Sequence, residues 1–128
     1  MKFLGTGSAL PKKVVSNDDL AQVMDTSDEW IRSRTGIGMR HIAVEETTTS
    51  MAVEAAEKAL ADAKISGCEI DLIIAGTISP DYIFPSLACE VQAAIGAKSA
   101  TAFDLSAGCS GFLFALATAC LLYTSPSP

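Results

Sequence analysis

Apolar residues recur at helical spacing between Thr47 and Lys64. Met51, Ala55, Ala59 and Ala63 align with Ala52, Ala56 and Leu60, while Glu54, Glu57, Lys58 and Asp62 fall largely on the other side. This stripe predicts an amphipathic helix. Two shorter runs follow a different rule. Leu72-Ile73-Ile74-Ala75, within 70–77, is continuously apolar, as in strands covered on both faces, and a second such strand is predicted over about 101–105. A helix over about 86–95 separates them. Nearer the start, Lys2 to Gly7 reads as an opening strand, and Ser16-Asn17-Asp18-Asp19 carries a capping-box pattern for a short helix reaching about Met24. Thr26 and Glu29 repeat that pattern for a helix that carries Trp30 and Arg34 and stops near Gly36. The alternation of strand and helix predicts an α/β fold with parallel strands joined by right-handed crossovers. No internal repeat is visible.

Composition narrows the class. Hydrophobic residues make up 49% of the chain, enough for a core, and no stretch offers the roughly 20 uninterrupted apolar residues of a membrane span. Lys2 is followed only by Phe3 and Leu4 before Gly5, which is no export signal, so a soluble cytoplasmic protein is expected, with no membrane partner. The net charge of −6 argues against nucleic acid, which needs a basic face. Cys68, Cys89, Cys109 and Cys120 form no C-x-x-C pair and His41 is the single histidine, so no metal site is expected. Without export, free thiols are expected over disulfides, Cys68 and Cys89 being structural and His41 structural or on the surface.

One of the four cysteines stands apart. Ala102-Phe103-Asp104-Leu105-Ser106-Ala107-Gly108-Cys109-Ser110-Gly111-Phe112 places Cys109 between a short apolar run and the first turn of a predicted helix. Unpartnered backbone N–H groups at a helix N-terminus stabilise a thiolate and can hold an oxyanion. Ala107, Gly108 and Gly111 leave space for a thioester to approach. From the residues alone two readings stand, a nucleophile or a small buried hydrophobe.

At this point the sequence resembles a family, the β-ketoacyl-acyl-carrier-protein synthase III enzymes. The resemblance is carried by Gly5-Thr6-Gly7-Ser8 with Leu10-Pro11, Asp25-Thr26-Ser27-Asp28-Glu29-Trp30-Ile31, Arg34-Thr35-Gly36-Ile37 and Arg40-His41-Ile42-Ala43. It continues through Phe84-Pro85-Ser86, Ala102-Phe103-Asp104 and the cysteine turn. These run in family order over residues 1–119. The resemblance implies a thiolase-like α/β fold, the layered αβαβα body of two similar halves, working as a homodimer, of which this chain holds an incomplete N-terminal half. It implies an acyl-cysteine on Cys109, formed from a short acyl-CoA, typically acetyl-CoA, and condensed with malonyl-acyl-carrier protein to begin fatty-acid synthesis. No cofactor is implied, the CoA thioester being a substrate.

The resemblance also assigns further residues. Trp30 and Arg34, four apart on a helix, match the CoA site as an aromatic plate beside a cation, the other reading being a core anchor and a surface charge. Thr26 matches a position near the CoA mouth and equally suits an N-cap. Phe84 matches the residue reaching across the dimer into the partner's acyl pocket, against an ordinary core phenylalanine. The family's catalytic histidine and asparagine belong to the second half, and His41, in a different part of the pattern, does not replace them. The fragment alone is therefore expected to be inactive in condensation. A related thiolase-like acyltransferase, such as a polyketide starter synthase or a hydroxymethylglutaryl-CoA synthase relative, and a non-catalytic module that dimerises or binds CoA are the alternatives. The helix opened at Cys109 meets Tyr123-Thr124-Ser125-Pro126-Ser127-Pro128, whose alternating Ser-Pro cannot continue it, so residues 120–128 are expected to be a non-native or disordered tail. Half of such a fold would expose apolar surface meant for the other half.

Overall fold

The computed structural model describes residues 2–124. The chain divides into two compact units, Leu10–Glu46 and the sequence on either side of it, Met1–Ala9 with Thr47–Pro128.

The Leu10–Glu46 unit contains a hairpin that the sequence pattern did not reveal. Strand β1 (Lys13–Ser16) pairs antiparallel with β2 (Met39–Ile42), with Val15 opposite Arg40. Between them lie α1 (Asn17–Ala21) and α2 (Asp28–Thr35). The capping box at Ser16 forms as predicted: its hydroxyl accepts from Asp19 N–H at 3.1 Å while Asp19 accepts from Ser16 N–H at 2.8 Å. The helix ends at Ala21, short of Met24. The second cap falls one residue later than predicted. Ser27, not Thr26, accepts from the N–H of Trp30 at 3.1 Å, because the serine is the residue that precedes the first helical position, Asp28. Gly36, at φ 73°, stops α2 in the left-handed conformation that glycine tolerates best.

In the other unit, α3 (Thr48–Ala63), β3 (Leu72–Gly76), α4 (Leu87–Ala94), β4 (Thr101–Leu105) and α5 (Gly111–Thr124) follow in order. Strands β3 and β4 pair in parallel, Ile74 opposite Phe103, with α4 as the crossover. The strands are half-buried rather than covered on both faces, since among the described residues this sheet has two strands. The core is Leu87, Ala88 and Val91 of α4 with Ala97. The predicted opening strand does not form. Residues 2–12 hold no strand, and Gly5-Thr6-Gly7-Ser8 lies along α3 instead. A Cβ on Gly7 would come within 2.0 Å of the Ala55 carbonyl oxygen, so the absence of a side chain permits this approach. Thr6 N–H donates to Asp62 at 2.9 Å and the Lys58 ammonium to the Ser8 carbonyl at 3.0 Å. These contacts bind the segment to a helix, and among the described residues no strand pairs with it.

Helix α5 is apolar nearly all round, yet Phe112, Leu113, Phe114, Leu121 and Leu122 are exposed, as predicted for an isolated half. It runs through Cys120 to Thr124, and the rest of the proposed tail, Ser125 to Pro128, lies outside the described residues. No described helix is long and apolar enough to cross a membrane.

Candidate functional site

The cysteine turn begins where β4 ends. Thr77 N–H donates to the Leu105 carbonyl at 3.2 Å, aligning the ends of the two strands. Gly108, at φ 52°, then takes a left-handed conformation and opens a short 3₁₀ turn, Gly108–Ser110, that leads into α5. Gly111 is buried against β3. A Cβ on Gly76 would lie 3.1 Å from the Gly111 carbonyl carbon, so strand and helix approach through two glycines. Cys109 is thereby displayed, exposed, at the head of α5. It precedes the α-helix rather than lying in its first turn, because the tight 3₁₀ bonds intervene. Ser110 N–H donates to the Ala107 carbonyl at 3.1 Å and Gly111 N–H to that of Gly108, so these two groups are engaged inside the turn.

Asp104, one residue from the end of β4, was not singled out from the sequence. Its two carboxyl oxygens accept from Leu87 N–H at 2.9 Å and Ala88 N–H at 2.8 Å, fastening the start of α4 to the strand that leads to Cys109. A lone acid inside the apolar run Ala102-Phe103-Asp104-Leu105 is the signal that could have marked it.

The segment joining β3 to α4 carries Phe84. Asp81 in this segment accepts from Thr48 N–H at 3.1 Å and Thr49 N–H at 2.7 Å at the start of α3. Those bonds, Thr49's foremost, hold its carboxyl down to about 2. Beyond this anchor Ile83 is 97% and Phe84 89% exposed, so the core reading of Phe84 is corrected.

Trp30 and Arg34 come together on α2. The Arg34 guanidinium carbon lies 4.4 Å from the centroid of the Trp30 ring, a cation–π contact made by residues one turn apart. Trp30 is half exposed, so it is no core anchor. Ser27, Glu29 and Ser33 complete a shallow groove of about 270 Å³ around the pair. Thr26 is half-buried and precedes the cap. His41 is exposed with its Nδ1 against the Pro11 carbonyl. Cys68 is exposed with its sulfur 2.9 Å from the Ser66 hydroxyl, rather than a buried structural residue, and neither Cys68, Cys89 nor Cys109 is in a disulfide. Among the described residues, no cluster of three or more histidine, cysteine or acidic side chains could hold a metal ion.

No family model matches the chain. Individual relatives do. A β-ketoacyl-acyl-carrier-protein synthase III from Streptococcus suis is 63% identical over 110 residues, 86% of this chain and 34% of the relative. One from Bacillus anthracis is 59% identical over 118 residues, covering 91% of this chain and 38% of the relative. Among solved structures, the 3-oxoacyl-acyl-carrier-protein synthase III of Aquifex aeolicus superposes with a TM-score of 0.92 at 53% identity, over 96% of this chain and 40% of that one. The priming β-ketosynthase of the R1128 polyketide pathway gives 0.89 at 40% identity, over 94% and 36%. The chain thus spans little more than a third of the length of the relatives it matches, and its fold is the corresponding part of a thiolase-like α/β enzyme. By sequence and by fold together, it belongs to the β-ketoacyl-acyl-carrier-protein synthase III family.

Proposed function

We propose that this chain supplies the acyl-accepting cysteine and the CoA-binding face of a synthase III that condenses a short acyl-CoA with malonyl-acyl-carrier protein to begin fatty-acid synthesis. The observation that carries the reading is Cys109, exposed on a glycine-built turn between the end of β4 and the start of α5. Its thiolate attacks the carbonyl carbon of acetyl-CoA. The tetrahedral oxyanion collapses, the bond to the CoA sulfur breaks, and CoA leaves as the thiol after taking a proton. Malonyl-acyl-carrier protein then loses CO₂. The electrons of that carbon–carbon bond form an enolate, whose carbon attacks the acyl-cysteine, releasing the Cys109 thiolate and the β-ketoacyl product.

Decarboxylation needs donors on the thioester oxygen, and loss of one such donor costs on the order of 10²–10³ in rate. The family resemblance assigns them to a histidine and an asparagine outside the matched segments. Acyl transfer to Cys109, rather than condensation, is the step these residues support alone. Trp30 offers a plate for adenine and Arg34 a cation for the CoA phosphates, and the family resemblance assigns Thr26 to the mouth of that site. The exposure of Ile83 and Phe84 supports a place for Phe84 against a second subunit, lining its acyl pocket. Polyketide priming is the second reading, favoured by the likeness to the R1128 ketosynthase but less so than synthase III, whose members are closer in identity.

Incubation with acetyl-CoA and mapping of peptide masses tests the reading. One acetyl group is expected on Cys109 and none on Cys68, which is also exposed. Equal labelling of the two, or none on Cys109, would sink it in favour of a non-catalytic module.

A further inference from the structure

We infer that Asn17 is a positioning residue for the Trp30–Arg34 face of α2; the inference rests on the CoA-binding reading of that face. Asn17 is 1% exposed, in a unit whose other side chains are mostly open to water. Its side chain spends all of its main bonding capacity. Nδ2 donates to Asp28 Oδ1 at 2.7 Å and to the Ile37 carbonyl at 2.8 Å, while Oδ1 accepts from the Arg40 guanidinium. Its backbone N–H donates to the Gly38 carbonyl at 3.2 Å. Asp28 is the first residue of α2, and Ile37 and Gly38 lie just past the Gly36 that ends it. One residue therefore grips both ends of the helix. Arg40 ties the same point to the hairpin, through the Val15 carbonyl at 3.1 Å.

The grip comes from the side of the helix away from the candidate ligand. At about 100° per residue, Asp28 and Arg32 share one face, and Trp30 and Arg34 lie roughly 180° around from them. Arg32 Nε donates to both Asp28 oxygens at 2.9 and 2.8 Å, so the gripped face is itself braced. Asn17 can thus fix the rotation of α2 about its axis, and with it the direction of the Trp30 plate, without touching a ligand. The residue type is specific. An aspartate would keep the bond from Arg40 but lose both donors and face Asp28 with a second carboxylate, and a leucine of similar size would lose every side-chain bond.

Trp30 is the sole tryptophan, so fluorescence reports this face alone. Coenzyme A is titrated into the full chain, and the ligand-free near-ultraviolet circular dichroism of Trp30 is recorded alongside. Asn17→Asp is expected to alter the ligand-free signal and weaken coenzyme A binding by about tenfold or more. The pair Asn17→Asp with Asp28→Asn returns an amide donor to the carboxylate from the opposite side and is expected to recover part of both. Unchanged signal and affinity in Asn17→Asp would overturn the inference, as would a double variant that regains fold without affinity. If the unaltered chain gives no response to coenzyme A, the nucleotide reading fails. The ligand-free signal then still decides the role of Asn17, which stands if Asn17→Asp alters it and falls if it does not.

Discussion

In the Leu10–Glu46 unit the most deeply buried side chain is an amide, Asn17, whereas in the unit that carries Cys109 it is the apolar set Leu87, Ala88, Val91 and Ala97. The first unit is a short hairpin with two brief helices, too little chain to bury a core, and it is organised by directional bonds: the Ser16 box, the Asn17 grip, and Glu46 accepting from Lys12 N–H at 3.0 Å and Val44 N–H at 3.1 Å. The second is organised by packing of α4 and α5 on two parallel strands, with carboxylates fastening the joints, Asp104 at α4 and Asp81 at α3. The difference suits the two tasks proposed. A polar hub sets a helix face at a fixed angle, while an apolar layer with glycine contacts brings a strand end and a helix start close enough to display a thiol between them.

The contrast breaks most visibly at Leu87. Leu87→Ala is expected to cost about 2–5 kcal/mol, because the cavity lies in the small core of α4. Amide exchange should quicken in 47–124 and stay unchanged in 10–46. Equal quickening in both units would show that they do not stand apart energetically.

Acid should act on the polar fastenings of both units. Backbone N–H groups, Lys12's foremost, hold Glu46 from its ordinary 4.5 down to about 2, and Asp81 falls from 3.8 to about 2. Each folded carboxyl binds its proton less readily than the unfolded one does. Its stabilisation is therefore complete above the ordinary value and is lost as the pH falls from there towards about 2. Glu46→Gln should flatten this acid response in 10–46 alone, and Asp81→Asn in the Cys109 unit alone, as read by exchange between pH 5 and 2.

The smallest effect is expected at Lys58, whose ammonium meets Glu54 at 2.6 Å, both side chains about half exposed. Lys58→Met should cost no more than about 0.5 kcal/mol, and salt should mask the ion-pair part of it. A larger loss would mean that the bond from Lys58 to the Ser8 carbonyl is what keeps the Gly5–Ser8 segment on α3.

What the sequence determined by itself is what depends on near neighbours. The α3 stripe, the Ser16 box, the Gly36 stop and the two apolar strands were legible because propensity, caps and periodicity act within a few residues. Cys109 stood out for the small residues on either side of it. The tertiary structure decided the rest. Lys2 to Gly7 has a strand's pattern, but this segment makes its contacts with α3, 50 or more residues away, and no described strand pairs with it. The β1–β2 hairpin joins segments on either side of two helices, so no local pattern announces it. For Phe84 the sequence left a subunit contact and a core place both open, and only the structure shows it 89% exposed. Asn17 was legible only as part of a cap, since its partners Asp28, Ile37 and Arg40 are brought to it by the hairpin. Hydrogen bonds between distant residues depend on where the backbone has already gone, and a pattern of local preference does not carry that information.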